Sequence, residues 1–177
     1  MISKSMEKAL NQQIALEGYA SYLYLSMASW CENEGLEGCA QFLYRQSDEE
    51  RAHMLRIFRY INEVDGHALS PGIKEPAHTF KSVRDLFEQV YTHEQKVTRS
   101  IHELVSQSYE EKDHTTLNFL QWYINEQREE EALMRTILDK IKLIGDTPQS
   151  LYFIDMELDK INQMTAQAEG GEGETIR

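Results

Sequence analysis

A chain of 177 residues, 41% hydrophobic, holds enough apolar material for one domain to bury a core without disulfides. Its formal charge of −12 excludes nucleic acid and anionic membrane as general partners, since phosphate attraction would carry the wrong sign, and favours a cation. The only two cysteines, Cys31 and Cys39, show neither metal-knuckle spacing nor the density of a secreted scaffold; with no signal-peptide core and no bilayer-length apolar run, a soluble cytoplasmic protein is expected.

Only three Pro and nine Gly interrupt the chain, so it is expected to be nearly all helix. The first helix is predicted over about 3–34, with Leu10, Ile14, Glu17, Ser21, Tyr24 and Ala28 on one stripe, ending near Gly35. The second covers about 36–64, with Cys39, Leu43, Gln46, Glu50, His53, Ile57 and Tyr60 inward, and Gly66 closes it. Gly66, Pro71, Gly72 and Pro76 make 65–79 the one long irregular connection. The third helix, about 81–109, carries Val83, Phe87, Val90, Glu94, Val97, Ile101 and Leu104. The fourth is capped by Asp113, carries Leu117, Leu120, Ile124, Gln127, Glu131, Met134, Leu138 and Ile141, and stops at Gly145. A short fifth helix opens at Asp146-Thr147-Pro148 and fades near Met164, leaving one domain over 1–164 and a Gly/Glu-rich tail, 165–177, expected to be disordered.

Short links make the first and second helices, and the third and fourth, antiparallel neighbours. The 65–79 segment can reach roughly 50 Å when extended, against roughly 42 Å for a helix of about 28 residues. It can therefore traverse the bundle and leave the second and third helices parallel.

The apolar stripes are interrupted near mid-height on every helix: by Glu17, by Glu50 and His53, by Glu94, and by Gln127 with Glu130 beside it. The three-residue spacing of Glu50 and His53 puts both on one face, able to bind one metal together. Any one carboxylate alone reads as a solvated charge. Four that converge, with no Lys or Arg in the stripes, need two divalent cations, and oxygen-rich coordination with one imidazole suits iron or manganese. Glu50 is the candidate bridge between the ions.

With Glu17 and Tyr24 on the first helix, Glu50-x-x-His53 on the second, Glu94 on the third and Asn125-Glu126-Gln127 on the fourth, the chain resembles the non-haem ferritins of bacteria and archaea over 1–164. The resemblance implies a ferritin-like four-helix bundle with one long crossover. It implies a ferroxidase that turns Fe(II) into Fe(III) with O2 or H2O2 and stores ferric oxide-hydroxide in a homo-oligomeric 24-subunit shell. Glu17, Glu50 and His53 would hold one iron, and Glu50, Glu94 and Glu130 the other, with Gln127 beside the pair. Glu49, Glu126 and Glu129 resemble a third iron site, and read equally well as a solvated face. Tyr24 would pass electrons to the oxidant by the same resemblance, or be a core tyrosine. Trp122 is open to the same two readings. The apolar face of the fifth helix, Leu151, Ile154, Leu158 and Ile161, is expected to be buried between subunits.

Other branches fit less well. Haem-binding bacterioferritins carry a second Glu-x-x-His and a Met after the first motif's Glu, where this chain has Gln127-Arg128-Glu129-Glu130 and Arg51, so no haem is expected. DNA-protecting miniature ferritins place their ligands between subunits. Leu117 and Leu120 stand where animal ferritins line their pores with acids, which leaves the iron route open. A small di-iron oxidase or peroxidase without a shell is the alternative function.

Overall fold

The computed structural model describes residues 2–145 and 147–172, the last of these, 168–172, by backbone alone. Five helices follow in order: α1 (Lys4–Asn33), α2 (Glu37–Glu63), α3 (Val83–Glu110), α4 (His114–Ile144) and α5 (Pro148–Glu172). The ends are set by local chemistry. The hydroxyls of Ser3 and Ser82 accept from the backbone N–H of Met6 and Asp85, and the Asp113 carboxylate accepts from that of Thr116. Gly35 (φ 75°) and Gly145 (φ 92°) take the left-handed backbone that ends α1 and α4.

α1 packs on α2, α3 on α4 and α1 against α3. The crossover between α2 and α3 can be followed by its contacts with α1. Asn11 receives an N–H from Leu69 and donates to the His67 carbonyl; Ile73 lies over Gly18; the Ser26 hydroxyl donates to the Ala77 carbonyl. These contacts advance along α1 in chain order, so the segment traverses the bundle as its length allows. A Cβ on Gly18 would stand 2.8 Å from Ile73 Cδ1 and 3.1 Å from Met54 Sδ, so a larger residue there would push these side-chain ends aside where the crossover packs on α1.

The interior is two apolar clusters with a polar layer between them. One gathers Met27, Cys31, Phe42, Phe87, Met134 and Ile137 toward the α1–α2 turn. The other gathers Met6, Leu10, Ile61, Ile101 and Leu120 at the far end. The stripes of the first three helices are buried as expected, and so are Leu120, Gln127, Met134 and Ile141 of α4, but the alternate positions of the α4 stripe are displaced by one residue. Thr116, Tyr123, Glu130 and Ile137 point inward, while Leu117, Ile124, Glu131 and Leu138 lie at the margin. An i+3 step and an i+4 step both fit a 3.6-residue repeat, and the sequence stripe took the wrong one at several turns.

α5 corrects two expectations. Its helix continues past Met164 to Glu172, through the good helix formers Ala166, Gln167, Ala168 and Glu169. Asp146 and the tail 173–177 lie outside the described residues. Its apolar face is also not left for a neighbouring subunit: Ile154, Leu158 and Ile161 are buried in this chain's own core, and only Leu151 of that face is exposed. α5 folds back after Gly145 and runs parallel to α2. The Asp155 carboxylate accepts the Cys39 N–H at 2.8 Å, Arg45 donates to Asn162 at 2.7 Å, and Lys140 of α4 pairs with Glu157. Gly38 permits this approach, because a Cβ there would run into the Asp155 carbonyl.

Candidate metal centre

The polar layer lies at mid-bundle and draws on all four long helices. Glu17 of α1, Glu50 and His53 of α2, Glu94 of α3, and Gln127 and Glu130 of α4 are each at most 4% exposed. Glu17, Glu50 and His53 offer ligand atoms that all lie within 4.8 Å of one another. His53 Nδ1 stands 3.6 Å from Glu50 Oε1. Glu94 and Glu130 stand outside this tight trio, yet both press their charge on Glu50.

Supporting polar groups aim the carboxylates. Gln13 donates to Glu17 at 2.8 Å and is itself held by the Ser100 hydroxyl. Glu94 is gripped from two sides, by the Tyr24 hydroxyl and by Gln127 Nε2 at 3.1 Å. Gln46 donates to Glu49 at 2.7 Å, and Tyr123 donates to the His53 carbonyl at 2.8 Å. Gln13 and Tyr123 were missed from the sequence. Gln13 lies one helical turn before Glu17, and that spacing was the only signal available.

Among the described residues, three buried carboxylate oxygens have no hydrogen-bond partner: Oε2 of Glu17, of Glu50 and of Glu130. None of the four buried glutamates is paired with Lys or Arg among the described residues. Burial, followed by the mutual repulsion of the carboxylates, holds Glu50 and Glu130 well above the usual carboxylate range. Burial pushes Glu94 up to about 7 against the hydrogen bonds from Tyr24 and Gln127. His53 is shifted down by burial, which keeps the imidazole neutral and able to bind a metal. Tyr24 is raised by burial and by the Glu94 and Glu50 charges, so its hydroxyl keeps its proton and donates it toward Glu94. Such a set of oriented, under-satisfied oxygens with one neutral imidazole can coordinate hard or borderline divalent cations.

The outer glutamates divide. Glu49 and Glu126 come together with His53 as a second group of ligand atoms within 4.8 Å. Glu129 lies outside that group, 68% exposed, with its carboxylate on Arg128. A groove of about 940 Å³ between α2 and α4 reaches this region and is lined by Glu49, His53, Arg56, Trp122, Glu126 and Glu130. Trp122 packs edge-on to His53 at 5.2 Å and carries the Arg56 guanidinium on its face at 4.2 Å. His93, next to Glu94 in sequence, turns away to the rings of Tyr19 and Tyr24.

A family model described as a ferritin-like domain matches residues 7–144. The bacterial non-heme ferritin of Campylobacter jejuni is 48% identical over 161 residues, covering 91% of this chain and 96% of that protein. A probable bacterial non-heme ferritin-like protein of Haemophilus influenzae is 44% identical over 92% of this chain and 98% of its own length. Among solved structures, an open pore ferritin from Archaeoglobus fulgidus superposes with a TM-score of 0.87 at 44% identity, covering 90% of this chain and 98% of that one.

Proposed function

The chain belongs to the ferritin-like family, and from that membership we propose that it oxidises Fe(II) at the buried carboxylate layer and stores the ferric product in a 24-subunit shell. Iron storage with ferroxidase chemistry accords with the ferritins it resembles, and the Glu17–Glu50–His53 group is suited to hold iron. The observation that carries the reading is the set of unpartnered oxygens on Glu17, Glu50 and Glu130. Uncompensated buried carboxylates cost several kcal/mol each, a cost that bound cations offset.

In this reading Glu17, Glu50 and His53 take one Fe(II), and Glu50, Glu94 and Glu130 take the other, with Glu50 between them. Two Fe(II) give one electron each to O2, which leaves as H2O2 after taking up two protons. With H2O2 as oxidant the same two electrons and two protons yield two waters. Gln127 and Tyr24 hold Glu94 beside the pair; Tyr24 can relay one of these two electrons, its proton moving along its hydrogen bond to Glu94 and returning when an Fe(II) re-reduces the ring. Carboxylates stabilise the Fe(III) formed, and the single imidazole and neutral Gln127 leave the site loose enough to pass it on. No haem takes part: Arg51 follows Glu50 and points to solvent. Large apolar side chains left exposed on α1 and α5, among them Tyr22, Leu25, Tyr152 and Phe153, support packing of copies into a shell.

Anaerobic loading with Fe(II), followed by O2 or H2O2 and then sedimentation of the product, tests the reading. Two irons oxidised rapidly per chain, and ferric iron that sediments with a large particle, are expected. A monomer or dimer that oxidises iron but lets it precipitate would replace the storage reading with that of a di-iron oxidase without a shell.

A further inference from the structure

His93 is a buried group that the reaction above does not use. It is 8% exposed; a hydrogen bond to the Leu16 carbonyl holds one ring nitrogen, and Nε2 is buried with no partner among the described residues. An orphaned nitrogen is a poor filler for a core, so packing alone does not account for an imidazole there. Its ring lies between two tyrosines, 5.6 Å from Tyr19 and 6.2 Å from Tyr24, whose hydroxyl is on Glu94. Among the described residues no other ring meets that of Tyr24.

The outer end of this row opens to solvent. Between α1 and α3 a groove of about 500 Å³ is lined by Tyr19, His93, Lys96 and Arg99, and by two acids, Asp85 and Glu88. The acids are engaged: Arg84 pairs with Glu88 at 3.0 Å, and the Gln89 amide and the Lys81 N–H donate to Asp85. Lys96 and Arg99 are exposed, and neither forms an ion pair with a described residue. The groove therefore offers two unpaired cations beside a half-buried tyrosine, in a chain whose net charge is −12.

Resting on the ferroxidase reading above, we propose that Tyr19, His93 and Tyr24 form an electron path from the metal layer to this groove, where a small anionic one-electron reductant of the ascorbate class docks on Lys96 and Arg99. The path serves when the site holds a single Fe(II). H2O2 then takes one electron from iron and one from Tyr24; the Tyr24 phenol proton and a proton from solvent complete two waters, and a tyrosyl radical is left. Tyr19 sends an electron through the His93 ring and releases its phenol proton to the groove, while Tyr24 is reprotonated from Glu94, which draws on solvent. The reductant gives Tyr19 a hydrogen atom, so the oxidising equivalent ends in solvent and not in the core. Electron transfer between rings falls steeply with the gap between them, and only a ring in contact with both tyrosines closes this one.

Two measurements on the assembled protein test the path. In the iron-free protein, with 3-aminotyrosine in place of Tyr24 as a trap, a photogenerated ruthenium(III) oxidant in solvent should produce the aminotyrosyl radical, read by electron paramagnetic resonance. Tyr19→Phe and His93→Leu should each abolish that signal, and His93→Phe, which keeps a ring, should retain it. With one Fe(II) per chain and H2O2, a nitroso spin trap located by peptide mass spectrometry should mark Tyr19 in the parent and not in His93→Leu. Ascorbate should clear the Tyr19 radical faster in the parent than in a chain carrying Lys96→Glu and Arg99→Glu. An aminotyrosyl signal that is unchanged in Tyr19→Phe or His93→Leu, or lost in His93→Phe as well, overturns the path. Equal clearance by ascorbate in the parent and the doubly substituted chain overturns the docking site. An aminotyrosyl signal that needs Tyr19 and His93, in a protein that fails to oxidise Fe(II), would remove the ferroxidase reading and leave the path standing.

Discussion

Glu50 shows how a residue can be wrong for stability and right for chemistry. Its carboxylate is 2% exposed, repelled by Glu94, Glu17 and Glu130, and one of its oxygens has no partner. Glu50→Gln keeps the shape and removes the charge. The metal-free variant is expected to be more stable than the parent, by on the order of 1–3 kcal/mol in a urea melt, while rapid Fe(II) oxidation is lost. A destabilised variant would mean that Glu50 serves the fold instead. The inward residues of the first three helices were legible because each apolar stripe is interrupted where a core residue was due. Glu130 was legible as the acid beside Gln127, although the stripe drawn on α4 ran through Glu131, which in fact meets Thr98 at the margin. His53 as a partner of Glu49 and Glu126 was not legible at all. Spacing along a helix says which side chains share its face, and says nothing of which of them lean across to another helix.

At the scale of elements, α5 is where sequence and structure part. Its heptad-like face was legible, but the surface that covers it was not, because a periodic pattern records that a face is buried and not by what. Ile154, Leu158 and Ile161 close the end of the bundle that holds Met134, Ile137 and Phe42. Burying three such side chains contributes about 1.5–3 kcal/mol each. Truncation after Ile144 is therefore expected to lower the stability of the subunit itself, by several kcal/mol, before any question of assembly arises. Thermal melts of the dissociated chain would check it. An unchanged melting temperature, with only the particle lost, would return α5 to a purely intersubunit role. The crossover was read more securely, because its length left one topology open, and its contacts follow α1 from Asn11 to Ser26.

The whole molecule consists of two apolar cores joined across a layer of acids. Its stability should follow the protonation of that layer. Glu94 rises to about 7 in the fold, from 4.5, and Glu50 and Glu130 are raised as well. The folded state then holds more protons than the unfolded chain, so stability falls as pH rises through the folded values. His53 and His93 are lowered by burial and act in the opposite sense, but only below about 6.5, where unfolded histidine takes up protons. As pH rises from 6.5 through about 7 the metal-free protein should thus lose on the order of 1 kcal/mol from Glu94, with Glu50 and Glu130 adding to the loss in the same direction, and saturating Zn(II) should flatten that slope. Chemical denaturation at several pH values, with and without Zn(II), measures both. Leu120 also bears on the whole: fully buried in the second core, it cannot line a channel, so iron passing this end of the subunit must use other side chains.

The crossover gives the centre a back and a front. Next to Glu17, Ile73 of the crossover packs onto Gly18, while the layer also faces the groove between α2 and α4. Whatever is handled there has a wall on one side and a doorway on the other. Were the centre to oxidise iron as proposed, its product would leave by the doorway, as through a valve, and copies arranged with their doorways facing one another would fill the space between them.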